Sequence, residues 1–236
     1  MRSNTAFPGR PAAAAAQLFF VLALLLPAVA ARAKTAGEEV EKLEHAREVY
    51  QALIGSPDSS VPRKLMQDCK CVAVFPGVIK GALGVGARHG NGVISCRSAA
   101  GGWSAPAFLT MTGGSYGLQI GVEKTQAVLF FMNEQSARSL LRSKFTLGAK
   151  AGVAAGPVGR SAEGSTDLRL NAEIYSYARS KGAFIGLSLE GAKVAPDKDA
   201  IVRYYGRPIA SEAIVFDAAA PVQPSAQRFL EVLPAP

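Results

Sequence analysis

Residues 112–123 read T-G-G-S-Y-G-L-Q-I-G-V-E, and two incompatible folds can be read into them. Gly113-Gly114-Ser115-Tyr116-Gly117 satisfies G-x-S-x-G, the nucleophile elbow in which a strand ends at a strained serine and a helix follows. Yet Tyr116, Leu118, Ile120 and Val122 alternate with Gly117, Gln119, Gly121 and Glu123. That is the two-residue period of a β-strand running straight through the motif, and glycines at 117 and 121 would weaken a helix there. A serine hydroxyl also needs a base, which in this arrangement follows the serine in the chain. Both histidines, His45 and His89, precede Ser115. The stretch is read as strand, and no catalytic residue is assigned.

Other chemistry is equally poorly supplied. Gly81-x-x-Gly84-x-Gly86 inverts the dinucleotide spacing, and the small-residue run Ala149–Gly159, read as turn-like, lacks the Gly-Lys-Ser/Thr ending of a phosphate loop. Asp167, Glu173 and Glu190 read as partners for arginines such as Arg169 and Arg179. Cys69-x-Cys71 offers two sulfurs with no histidine placed to complete a four-coordinate site. No metal and no cofactor are expected.

Outward from the motif, strand periods dominate. Val72–Phe75 and Ala127–Met132 are unbroken apolar runs, Trp103–Met111 follows a turn, and Gly81–Arg88 and Gly92–Arg97 flank His89-Gly90-Asn91, which reads as a hairpin turn. Twelve glycines lie between Gly77 and Gly121, so the sheet must bend, carry bulges or admit close backbone approach. Glu173–Arg179 and Ala183–Glu190 alternate again. Helical spacing appears in Gly37–Ile54, with Val40, Leu43, Val49, Tyr50 and Leu53 inward and Glu38, Glu39, Glu41, Lys42, Glu44, Arg47 and Glu48 outward. Shorter helices are expected after Ser60, over Glu134–Ser143 and near Lys198–Tyr205. The fold class is α+β: a strongly curved, glycine-rich antiparallel sheet, open or barrel-like, flanked by N-terminal, middle and C-terminal helices.

The N-terminus carries a targeting pattern. Arg2 and Arg10 precede the apolar Leu18–Leu26, followed by Pro27 and the ladder Ala28-Val29-Ala30-Ala31-Arg32-Ala33. Residues 1–33 are read as a secretory signal peptide cut after Ala30 or Ala33. The same stretch, Ala12–Ala31, is also just long enough to anchor in a bilayer. Net charge is +8, and a leader holding three arginines and no acid leaves +5 on the remainder. That surplus suits anionic surfaces. Export would place Cys69, Cys71 and Cys96 where disulfides form. If their strands are neighbours, Cys71 and Cys96 can bond and Cys69 is left over; the alternative is three reduced thiols.

The chain resembles the SYLF domain, a lipid-binding module of bacteria and of eukaryotic actin-regulating proteins. The resemblance rests on V-A-V-F-P-G-V-I-K-G (72–81), G-N-G-V-I-S-C-R (90–97), G-W-S-A-P-A-F (102–108), T-G-G-S-Y-G-L-Q-I-G (112–121) and A-E-I-Y-S-Y-A-R-S-K-G-A-F-I-G-L-S-L-E-G (172–191). It covers about residues 38–206, within a domain expected over 34–215 and followed by a loose Pro/Ala-rich tail, 216–236. The resemblance implies a non-enzymatic protein that binds acidic lipid. The leader points away from cytosolic actin and phosphoinositides, toward a periplasmic or secreted protein with peripheral membrane association. The expected partners are anionic phospholipid or a membrane surface, or else an envelope protein received on Ser115, Gly117, Gln119 and Gly121, and not nucleic acid. Candidate lipid-binding cations are Lys80, Lys144, Lys150, Arg160, Arg169, Arg179 and Lys181.

Overall fold

The computed structural model describes residues 36–56, 61–99, 101–148, 152–158, 171–180, 183–186 and 189–235, with backbone only at 36, 82–85, 115–121, 180 and 183. The leader and the candidates Lys150, Arg160, Arg169 and Lys181 lie outside the described residues. One compact unit runs Thr35–Pro236.

Two long strands organise it, β1 (Cys71–Cys96) and β2 (Ala107–Phe131), paired antiparallel from Cys71↔Phe131 to Ile94↔Ala107. Each doubles back on itself. The amide of Arg97 donates to the Lys70 carbonyl at 2.8 Å, and Cys71 and Cys96 form a disulfide with Cα atoms 3.9 Å apart. A Cβ on Gly90 would lie 2.7 Å from the Gly77 carbonyl oxygen, and one on Gly92 2.6 Å from that of Val74. Only glycine allows the two arms of β1 to approach so closely. The reversal therefore falls between Gly77 and Gly90. The turn expected at His89-Gly90-Asn91 is not there: those residues pair in register with Thr112, Met111 and Thr110. Asn-Gly order suggests a turn only locally, and the longer ladder overrides it.

The remaining strands extend this doubled hairpin on both sides. Residues 109–112 of β2 take β7 (Lys193–Pro196), which takes β3 (Phe145–Thr146). Residues 126–131 take β5 (Ile174–Ser180), which takes β6 (Ala183–Gly186) and β4 (Val153–Ala155). The β4–β5 pair is parallel, so the strongly curved sheet is mixed rather than purely antiparallel, and β4 occupies part of the run expected to be turn-like.

Period-two alternation then builds two cores. Val72, Val74, Phe108, Val128, Phe130 and Tyr177 face α1 (Ala36–Ile54), α2 (Arg63–Asp68), α4 (Lys198–Tyr205) and α6 (Pro224–Glu231). Ala73, Phe75, Ile94, Leu109, Leu129 and Phe131 face α3 (Glu134–Arg142), Phe145 and Leu147. The short α5 (Ser211–Phe216) gives Ile214 to the first core and Val215 to the second. Helix ends follow local chemistry: the Asn133 and Asp197 side chains accept from the amides of Ser136 and Ala200, and Gly206 closes α4 in the left-handed region at φ 71°.

Two expectations need correcting. In α1, Val40 is exposed and Glu39 is buried at 0%. Glu39 Oε1 accepts from Arg203 Nε and Nη2 at 3.0 and 2.7 Å, and its other oxygen binds Lys42, whose ammonium lies over the Phe108 ring. A carboxylate can occupy the inner face because two cations satisfy it there. The tail 216–236 is also not loose. Pro224 opens α6, Ala226 and Phe229 bury against α1, and Trp103 Nε1 and Arg97 Nη1 donate to the Pro234 and Ala235 carbonyls at 2.9 and 3.0 Å.

Candidate functional site

A cationic hollow opens on the sheet beyond the helices. Its position depends on one irregularity. Phe75 pairs with Ala127 but Val78 pairs with Thr125, so three steps on β1 answer two on β2, and Pro76-Gly77 supply the extra residue of a bulge. An unbroken strand starting from Cys71, Ala73 and Phe75 would turn residues 77 and 79 to that face. The bulge substitutes Val78 and Lys80. On the returning arm Arg88 faces the same way, opposite Gly113. A Cβ there would stand 3.2 Å from the Arg88 Cγ and Cδ atoms, so glycine leaves room for the arginine stem.

Val78, Lys80 and Arg88 from β1, Glu123, Thr125 and Ala127 from β2, Ala178, Ile185 and Leu189 together line a cavity of about 200 Å³. Glu123 stands directly across the ladder from Lys80. The hollow thus has an apolar floor continuous with the second core, two cations contributed by two arms of one strand, and one carboxylate. Ile185 at its rim is 54% exposed.

Of the seven candidate cations three are described. Lys80 lines the hollow, whereas Arg179 pairs with Gln126 and lies over the Phe184 ring at 5.4 Å, on the opposite face of the sheet. Lys144 is exposed between α3 and β3. Arg88, within the segment read as flanking a turn, was missed. Its signal was available: Lys80 and Arg88 lie eight residues apart on a period of two and so share a face.

The backbone also decides between elbow and strand at Ser115. Ser115 pairs with Gly86 and Tyr116 with Val85 inside continuous β2, with no strand-turn-helix elbow. Among the described residues, no group of three or more metal-ligating side chains converges. Burial pushes the Cys69 thiol up to about 11, and Cys69 lies on the face opposite the disulfide.

A second cleft, about 490 Å³, lies among α3, α4 and α5, with Leu141, Pro196, Val202 and Ile209 in its walls. Ser211 Oγ there is buried without a hydrogen-bond partner, while Glu212 accepts from Arg142 at 2.7 and 2.9 Å and from Arg138 at 3.1 Å.

Residues 112–235 match the family described as Ysc84, Las17-binding protein actin regulator. This chain belongs to the Ysc84 family. The resemblance to the SYLF domain is borne out, and the match runs through α6, beyond the boundary expected at 215. The SH3 domain-containing YSC84-like protein 1 of Rattus norvegicus is 34% identical over 179 residues, 75% of this chain and 52% of the rat protein. Protein YSC84 of Saccharomyces cerevisiae is 33% identical over 179 residues, 75% of this chain and 38% of its own length. The yeast LAS seventeen-binding protein 3 is 32% identical over 152 residues, 63% and 33% of the respective chains. The chain spans about half the length of the rat relative and less of the yeast ones. The family description and the name of LAS seventeen-binding protein 3 speak of binding and regulation.

Proposed function

We propose that this protein is a non-enzymatic, periplasmic or secreted binding protein of the cell envelope that takes anionic phospholipid headgroups at the hollow. The observation that carries this reading is the pairing of Lys80 and Arg88 over an apolar floor. Ligand pockets that enclose a whole small molecule run about 300–1,000 Å³. At about 200 Å³ the hollow suits a headgroup phosphate and not the acyl chains. Each cation near an anionic leaflet contributes about 1 kcal/mol. Charge reversal in Lys80→Glu therefore costs about 2 kcal/mol, roughly 30-fold in vesicle binding at low salt. Co-sedimentation with phosphatidylglycerol vesicles tests it: pelleting should need anionic lipid and weaken with salt, and equal pelleting with neutral vesicles would overturn the reading.

A second reading, a protein-interaction module of the envelope, is favoured by the cleft among α3, α4 and α5 and by the relatives' names. The small-residue face expected for such a partner, Ser115, Gly117, Gln119 and Gly121, has side chains outside the described set. A partner in the cleft would be lost in Val202→Glu and retained in Lys80→Glu.

A further inference from the structure

On the reverse of the hollow the sheet presents exposed apolar side chains, with no helix over them among the described residues. Val122 and Lys124 alternate away from Glu123, and Ile79 stands opposite Lys124 with Gly81 opposite Val122. Ile79 and Val122 are thus diagonal neighbours on one face. Nearer the helices the same face holds Phe130 and Val128 at 0% exposure, whereas Ile79 is 54% and Val122 81% exposed. The Lys124 stem runs past Gly77, where a Cβ would stand 3.1 Å from its Cε, so the chain lies along the sheet surface with its ammonium at the end.

This end of the sheet is also cationic. Among the described side chains here, Lys80 and Arg88 share the hollow face with Glu123, and Lys124 stands on the reverse face. At the helical end the exposed side of α1 carries Glu38, Glu41 and Glu48, which an anionic surface would repel. Apolar residues fringed by cations are the composition of a surface that lies in the bilayer interface. The helical side also exposes Arg63, Lys64, Lys198, Arg207 and Arg228. It is therefore the combination of cations with exposed Ile79 and Val122 that points to an anionic bilayer at this end.

We propose that the end of the sheet farthest from the helices docks into an anionic bilayer, with Ile79 and Val122 entering the acyl boundary while Lys80, Arg88 and Lys124 meet the headgroups. This rests on the phospholipid reading and adds to it an insertion step and an orientation. Val122→Cys carrying an environment-sensitive fluorophore tests it, because buried Cys69 at 0% exposure and the Cys71–Cys96 disulfide leave the new thiol as the reactive one. On phosphatidylglycerol vesicles its emission should shift to the blue and be quenched by a quencher in the acyl region. The same label on Val202→Cys, exposed on α4, should do neither. Ile79→Asp combined with Val122→Asp should lower vesicle binding at least tenfold with an unchanged circular dichroism spectrum. If the protein pellets with anionic vesicles while the label at 122 stays in water, or if both labels respond alike, insertion is overturned and headgroup binding stands. If the unsubstituted protein does not pellet at low salt, both fall.

Discussion

Phe130 and Val122 belong to the same strand and face, eight residues apart, yet one is 0% exposed and the other 81%. The near half of the doubled hairpin alternates large apolar side chains on both faces, so two layers of helix and chain close over it. The far half continues the same ladder with many glycines, and of its described side chains Ile79 and Val122 stay exposed. Strand pairing and burial are therefore separable in this molecule. Backbone pairing carries β1 and β2 past the buried layers to Ile79 and Val122, and the candidate site lies at the margin of the second core.

The strongest test of that contrast is to truncate both residues. Phe130 packs against Tyr50 and Tyr177, with ring centroids 6.3 and 5.7 Å away. Phe130→Ala should cost about 3–5 kcal/mol, whereas Val122→Ala should stay within about 0.5 kcal/mol. Urea unfolding of both variants would check this, and comparable losses would end the distinction. Glycines sharpen it next. A Cβ on Gly92 meets a backbone carbonyl and the Phe75 ring, while one on Gly114 meets nothing within 4 Å. Gly92→Ala should destabilise by about 1–3 kcal/mol and Gly114→Ala should be far milder, again by unfolding midpoint.

The smallest effect concerns pH, at the joint between α3 and α5. Hydrogen bonds from Arg142, and then from Arg138, hold the Glu212 carboxyl below its usual range. A carboxyl with a lowered folded value stabilises above its ordinary value of 4.5 and loses that contribution as pH falls through the lowered one. Acid should thus loosen this joint, seen as a thermal midpoint that falls as pH drops below 4.5, and Glu212→Gln should make that fall shallower.

Much of this was legible in the sequence because the signals are local. Helix α4 falls at Lys198–Tyr205 as its spacing predicts, and α3 runs Glu134–Arg142 against an expected Glu134–Ser143. The strand through Ser115 follows from alternation alone. Signals that depend on a distant partner were misread. His89-Gly90-Asn91 looks like a turn until the opposing residues 110–112 hold it in register. Glu39 looks solvated until Arg203, far along the chain, arrives to pair with it. The proline-rich C-terminus looks loose until α1 offers a surface for Phe229.

Spacing along the chain was enough for the strand and helix periods, for the placing of both histidines before Ser115, and for the family. These need only neighbours a few residues apart. The face taken by Lys80 and Arg88 relative to the second core came from the folded sheet, because the extra residue at Pro76-Gly77 shifts the alternation along β1. Tertiary structure also decided where covering layers stop, since burial depends on what packs opposite a residue and not on the residue itself.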